Sequence, residues 1–261
     1  MKKILLPGLI IFFFNCCNAQ QFQLAPPMLK YNSVFFKDTV KVALQFQEPG
    51  TKIFFTLNNN EPSENDAVYR KPVVIKKNLT TLKTKVFGKG FLPSETIEAT
   101  FIQDGLKIKS AEHSHPNEKF PGNGSQTLFD NDGGVADLHN KNFLGYQNDS
   151  VQINVTLEKK EKINCVLLDF LRDQGSWVFL PQRISVFYFD EKKKGYEFMA
   201  QKEIHDTIFE RSATVFEIVK AREKIICDRL KIIIVPLQSM PEGHPGKGKQ
   251  SWLFIDEIKI Y

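Results

Sequence analysis

Apolar and polar residues alternate in short segments along the chain, and this period of two is the pattern of half-buried β-strands. Residues 40–46, 151–157 and 183–189 are clear examples, and Gly, Pro, Asn and Asp separate the segments. Residues 26–103 show no helical periodicity, and strand and helix patterns do not alternate anywhere in the sequence. We therefore predict an all-β chain.

Turn signals divide the chain into two predicted β-sandwiches. Residues 26–103 carry short strands at the spacing of a small sandwich. Residues 104–125 are polar, rich in Pro and Gly, and aperiodic, which predicts a linker or an ordered bridging loop. Residues 126–261 contain about eight further strand patterns, a number compatible with a jelly-roll sandwich.

The N-terminus predicts export from the cell. Two lysines precede a short apolar run that ends in small and polar residues, so residues 1–19 read as a secretory signal peptide. The alternative is a lipoprotein signal with Cys16 or Cys17 acylated. No later segment reaches the roughly 18 continuous apolar residues of a membrane-spanning helix. We expect an exported protein in the periplasm, at the cell surface or outside the cell.

Charge and motifs exclude several functions. Lys and Arg number 35 and Asp and Glu 30, and no basic stripe interleaves with aromatic residues, so a nucleic acid is not an expected partner. The nucleophile, metalloprotease and phosphate-loop motifs are not found, and we expect no catalytic residues. After the signal peptide, Cys165 and Cys227 remain; they form either one disulfide or two separately buried thiols.

Two tryptophan-bearing segments indicate where a ligand would bind. Trp177 and Trp252 are the only tryptophans, and each stands where a Gly- and Ser-containing loop becomes a strand. We predict that the two loops meet at one end of the second sandwich and form a shallow aromatic patch with His244. Tyr146 and Arg172 are further candidates for this site. The alternative is that both indoles close the sandwich as packing residues.

Residues 51–63, 67–69 and 81–94 resemble the chitobiase/β-hexosaminidase C-terminal module. This module has an Ile-x-Tyr-Thr-Leu-Asp-Gly-x-Glu-Pro-Thr hairpin, and Asn58-Asn59 stands here in place of Asp-Gly. Asn also tolerates the left-handed geometry of such a turn. The resemblance implies a small fibronectin-type-III-like or immunoglobulin-like sandwich without catalytic residues.

The second half resembles a discoidin-like (coagulation factor type C) module, as found at the C-termini of bacterial β-hexosaminidases. Four segments carry this resemblance: residues 128–134, 142–147, 173–181 and 244–258. The catalytic barrel of those enzymes takes about 250 residues and has no counterpart here. The resemblance implies that loops at one end of the sandwich bind a glycan, with N-acetylhexosamine- or galactose-containing sugars as the expected partners. An aromatic ring would cover the apolar face of a sugar, and polar side chains would bind its hydroxyls.

Modules of this kind often hold one structural Ca²⁺ near the chain ends, and Ca²⁺ binds several oxygen ligands. Asp130, Asp132 and Glu257 are the candidate ligands, and an ordinary Asx-turn is the alternative.

A second hypothesis for the whole protein is a structural envelope component that docks a separate glycoside hydrolase and binds no sugar itself.

Overall fold

The computed structural model of the protein describes residues 21–133, 136–206 and 212–261. The predicted signal peptide, with Cys16 and Cys17, lies outside these residues. The described part contains strands and two short 3₁₀ segments, Gly124–Leu128 and Gln174–Ser176, and no α-helix. The all-β prediction is confirmed. No helix in the described ranges has the length and apolarity that crossing a membrane requires.

The first unit is a sandwich of two sheets. Its strands are β1 (Met28–Lys30), β2 (Phe35–Phe36), β3 (Val40–Gln45), β4 (Thr51–Thr56), β5 (Ala67–Val68), β6 (Val73–Ile75), β7 (Thr80–Gly88) and β8 (Ile97–Gln103). One sheet has the order β1-β3-β6 and the other β2-β8-β7-β4-β5. Alternate residues of facing strands, such as Val42, Leu82 and Phe101, are fully buried between the sheets.

The second unit contains the larger core. Its strands are β9 (Ile108–His113), β10 (Leu144–Tyr146), β11 (Val151–Arg172), β12 (Arg183–Asp190), β13 (Gly195–Glu203), β14 (Ala213–Val235) and β15 (Leu253–Ile260). They pair in the order β10-β15-β11-β14-β12-β13, and β9 pairs with β11. Strand β13 carries no clear alternation in the sequence and was not anticipated.

Strands β11 and β14 are each longer than a single strand pattern in the sequence; the alternation at residues 151–157, for example, covers only the first part of β11. The first half of β11 pairs with β9 and its second half with β15. Register shifts between Thr156 and Glu161 and between Ile163 and Cys165 mark the change of direction. Ile153 from the first half and Leu168 from the second belong to the same core. The two long strands thus form a corner that both layers of the sandwich share.

The predicted linker over residues 104–125 is wrong in its first part. Strand β9 pairs along β11, from His113 opposite Ile153 to Ile108 opposite Leu157. Ala111 faces the core, with 5% of its surface exposed. Strand β9 pairs only along β11 and places few side chains in the core, so its sequence contains few apolar residues and resembles that of a linker.

The two units pack directly against each other. Phe35 and Ile102 of the first unit and Leu167 of β11 form one buried cluster, with Phe216 and Tyr261 packed against it. The Tyr261 hydroxyl donates to the carbonyl of Gln103. The outer face of the β11–β14–β15 sheet is therefore covered by the first unit.

Both cysteines in the described residues are free thiols, so the disulfide alternative is not supported. Cys227 is buried and Cys165 is half-buried. Burial raises the pKa of the Cys227 thiol to about 11 and also raises the pKa of Cys165. Both thiols therefore stay protonated at neutral pH, the less reactive form.

Candidate functional site

The two tryptophan-bearing loops meet at the end of the second sandwich that lies away from the corner. The Trp252 N–H donates to the Trp177 carbonyl at 2.9 Å, and the Phe179 N–H donates to the Trp252 carbonyl at 3.2 Å. These bonds join the segment after β11 to the start of β15. The predicted convergence of the two loops is confirmed. We call this end of the sandwich, with Trp177, His244, Lys249 and Trp252, the aromatic rim.

Both indoles are half-buried, so neither is sealed inside the core. The Trp252 ring packs edge-on against Phe120 at 5.4 Å and lies 6.0 Å from the Phe254 ring. The His244 ring packs edge-on against the Trp177 ring at 6.1 Å, and the Lys249 Nζ lies over the Trp177 ring, 5.4 Å from its centre. Trp252 is thus anchored by the apolar cluster beneath it, whereas polar residues surround Trp177.

Trp177 has an unusual backbone. It follows the 3₁₀ segment Gln174–Ser176 with φ of 68°, in the left-handed region. A bulky residue pays about 1–2 kcal/mol for this conformation. Such strain persists only where the surroundings hold it, and it clusters at ligand sites. The hydrogen bonds of the Trp177 N–H to Gln174 and of its carbonyl to Trp252 hold this residue in place.

The structure changes the role of His244. Its Nε2 lies 2.9 Å from the Gln174 carbonyl, and its Nδ1 accepts the Gly246 N–H at 3.0 Å. Both ring nitrogens are therefore engaged within the protein. His244 links the loop that carries Trp177 to the loop before β15. The predicted contact of its ring nitrogens with a ligand is therefore not available in this arrangement.

Tyr146 does not belong to the ligand surface, which corrects the prediction. It lies on β10 with none of its surface exposed, because Leu144, Gly145 and Tyr146 are all buried beneath neighbouring segments. Its hydroxyl contacts the Nδ1 of His113 at 3.0 Å. Burial raises the pKa of Tyr146 well above its usual value.

Arg172 lies beneath the surface rather than on it. Its side chain is 14% exposed, and its guanidinium lies 3.6 Å from the Oδ1 of Asp206. Asp206 in turn accepts hydrogen bonds from the Gln174 side chain and from the Leu180 N–H. Arg172 thus supports the loop that carries Trp177 from below.

A cleft of about 440 Å³ lies beside the aromatic rim, and sequence reasoning missed it. We call it the side cleft; its lining residues are Gln174, Phe179, Gln182, Glu203, Ile204, His205, Asp206, Leu237, Ser239 and Pro241. They come from the loop after β11, the end of β13 and the loop after β14. No local motif connects these segments, so only the folded chain shows that they form one site.

The predicted calcium ligands do not fit a metal ion. Glu257 is fully buried, and its two oxygens accept the Asn131 N–H at 2.9 Å and the Lys259 ammonium at 2.7 Å. Asp130 accepts the N–H of Asp132 in an Asx-turn, and both aspartates are exposed. In the described ranges, no three or more His, Cys, Asp or Glu side chains are arranged to hold a metal.

The ammonium group of Lys259 is the positive charge beside Glu257 and Asn131. The side chain is 3% exposed, and its Nζ lies 2.7 Å from Asn131 Oδ1, 2.7 Å from Glu257 and 3.2 Å from Asp104. It also lies 5.2 Å from the centre of the Phe35 ring of the first unit. Burial raises the pKa of Glu257 to about 7, and Lys259 opposes this rise. The ammonium thus joins both units at their boundary.

Asp169→Asn is expected to raise the free energy of unfolding at pH 8, because an amide has no ionised form whose burial must be offset. Asp169 is fully buried on β11, and among the described residues no side chain donates a hydrogen bond to either carboxyl oxygen. Burial, and then the charge of Glu257, raise the pKa of Asp169 well above its usual value.

The pKa of Asp169 is higher in the folded protein than in the unfolded chain. Its contribution to the stability of the folded state is therefore complete below the pKa of the unfolded chain, and it declines as the pH rises towards the pKa of the folded protein. The gain from Asp169→Asn should therefore shrink towards pH 4. Urea unfolding of both proteins at the two pH values measures it. An equal difference at both values, or a less stable variant at pH 8, would contradict this assignment.

Comparison with known proteins gives one match to a protein family. The model of a family described as "Fn3 associated" matches residues 42–101, within the first unit. This match supports the predicted sandwich without specifying the chitobiase module. No curated protein matches the chain.

Several solved structures are similar to the chain at low identity. The family 32 carbohydrate-binding module of Streptococcus pneumoniae EndoD has a TM-score of 0.41 and 13% identity, over 60% of this chain and 96% of that one. Two family 32 modules of Clostridium perfringens ZmpB, solved with GalNAc, have a TM-score of 0.39 and 13% identity, over 59% of this chain and 33% of that one. A Ruminococcus gnavus GH29 fucosidase has a TM-score of 0.38 and 11% identity, over 58% of this chain and 24% of the fucosidase.

Proposed function

We propose that the protein is a non-catalytic carbohydrate-binding protein and that its glycan site is the aromatic rim. The observation that carries this proposal is the hydrogen bond from the Trp252 N–H to the Trp177 carbonyl, which brings the only two tryptophans together at one end of the sandwich. Indole faces stack on the C–H faces of pyranose rings, and an adjacent ammonium donates to hydroxyls. The strained backbone of Trp177 supports the same assignment.

The glycans that we propose contain N-acetylhexosamine or galactose. A glycan array probed with the full chain tests this directly, followed by calorimetric titration of the strongest ligand. We expect selective binding to a small set of oligosaccharides. A flat array without heat of binding would reject the proposal. A single envelope protein enriched from an extract would then favour the alternative of a docking component.

We also propose that the protein is exported, because residues 1–19 have the pattern of a signal peptide. Fractionation of cells that express the full chain should recover it outside the cytoplasm, shortened by this segment. Recovery of the uncut chain in the cytoplasm would contradict export. Acylation of Cys16 or Cys17, measured by mass spectrometry, would instead show the lipoprotein alternative.

A further inference from the structure

We propose that the side cleft binds a protonated amino group, so that the glycan recognised here carries, beside its N-acetylhexosamine or galactose residues, an amino sugar with a free amine. This inference rests on the proposed function, because the aromatic rim and the side cleft would hold neighbouring parts of one oligosaccharide. It adds a chemical class of ligand that the tryptophans alone do not specify.

The side cleft has the size and walls of a sugar site. Pockets that bind small ligands commonly enclose about 300–1,000 Å³, and the side cleft has about 440 Å³. Ile204, Leu237 and Pro241 provide apolar wall, and Gln182 and Ser239 provide neutral hydrogen-bonding groups. This mixture suits the alternating apolar and hydroxyl surfaces of a pyranose ring.

The side cleft is continuous with the aromatic rim. The Phe179 ring lines the cleft and packs against the His244 ring at 5.2 Å, and the His244 ring in turn lies 6.1 Å from the Trp177 ring. Gln174 also lines the cleft, and its carbonyl contacts His244. A chain of a few sugar residues therefore spans from Trp177 into the cleft.

The charge of the side cleft is opposite to that of the chain as a whole. Lys and Arg exceed Asp and Glu by 35 to 30 in the sequence. Among the described residues, the lining of the cleft nevertheless includes the carboxylates Glu203 and Asp206 and the imidazole of His205, and neither Lys nor Arg. A ligand group that enters this space therefore meets two carboxylates beside the imidazole of His205.

Asp206 forms the fixed floor of the cleft. Its carboxylate accepts the Gln174 side-chain N–H at 3.2 Å and the Leu180 N–H at 3.3 Å, and Arg172 lies 3.6 Å away. These contacts hold Asp206 in place and balance much of its charge. Glu203 is therefore the carboxylate that is available to a ligand.

Glu203 ends β13, and its side chain is exposed. Its Oε1 accepts a hydrogen bond at 2.8 Å from the Gln201 side chain, which is a neutral donor. Carboxylates only accept hydrogen bonds, so the ligand must donate. A hydroxyl supplies one donor, whereas an ammonium supplies three donors and the opposite charge, so that a Coulomb attraction to the carboxylate adds to the hydrogen bond. The electrostatics of the cleft thus favour an amine.

Calorimetric titration of the full chain with the glucosamine tetramer and with its fully N-acetylated form tests this inference. The two ligands share ring and linkage, and only the first carries amines. At mildly acidic pH we expect about tenfold tighter binding of the glucosamine tetramer, a preference that decreases with salt. Glu203→Gln should remove the preference. Glu197→Gln, the same change on the same strand where Glu197 pairs with Lys193, should keep it.

Equal affinity for the two tetramers, or an unchanged preference in Glu203→Gln, would overturn the inference and leave the proposed function standing. A neutral glycan as the strongest ligand would do the same. Absence of binding to every glycan, in titration and on the array, would reject the proposed function and this inference together.

Discussion

Replacing Lys259 with methionine is expected to destabilise the protein by about 3–5 kcal/mol, the usual effect of removing one partner from a buried ion pair. Methionine keeps an unbranched apolar side chain, shorter by one heavy atom, but removes the charge. Glu257, which has no exposed surface, would lose its ammonium partner, and Asp104 and Asn131 would lose theirs. Urea unfolding at neutral pH measures the change.

Lys193→Met is the matched control, because it removes an ammonium from an ion pair in solvent. Lys193 pairs with Glu197 at 2.9 Å and is 61% exposed. Exposed pairs contribute about 0–1 kcal/mol, so this variant should unfold close to the wild type. Lys259→Met combined with Glu257→Gln should recover part of the lost stability, since no buried carboxylate then lacks a partner. Equal effects of Lys259→Met and Lys193→Met would contradict the role assigned to Lys259.

Trp252→Ala is expected to lower the free energy of unfolding by about 2–3 kcal/mol, whereas Trp177→Ala should change it by less than about 1 kcal/mol. The Trp252 ring packs against Phe120 and Phe254, and its removal leaves a cavity above a buried cluster. Trp177 contacts His244 and Lys249 in the loops, so its removal costs little packing. The strain of the left-handed backbone stays almost the same in Trp177→Ala, because alanine also has a Cβ.

Urea unfolding of the two single variants beside the wild type measures this difference. A Trp177→Ala variant that unfolds as early as Trp252→Ala would show that Trp177 is a core residue rather than a surface one. This comparison also shows which variant suits a binding experiment, because a ligand effect is interpretable only in a folded protein.

Much of the fold follows from the period of two, and the exceptions have physical reasons. Residues 158–162 are all charged, five side chains in succession, and read as a break, yet β11 continues through them because both long strands point polar side chains into solvent at the corner. Strand β9 reads as a linker because an edge strand needs few apolar residues. Such features depend on pairing partners that are distant in the sequence.

The same limit explains which parts of the candidate site could be predicted. The convergence of the indoles was predictable because each stands where a loop becomes a strand at one end of a sandwich. The role of His244 was not, since it depends on the Gln174 carbonyl, a group that every residue carries. Lys259 alternates outward on β15, and only the packing of the first unit over that face makes it buried.

Calorimetric titration of the wild type and Trp177→Ala with the strongest glycan from the array is the most direct test of recognition at the aromatic rim. Phe198→Ala is the control, because Phe198 is 56% exposed on β13 and lies outside the rim and the side cleft. We predict that Trp177→Ala binds about 30-fold more weakly, the effect of losing a central aromatic contact, and that Phe198→Ala binds as the wild type does. Wild-type affinity in Trp177→Ala would contradict glycan binding at the rim.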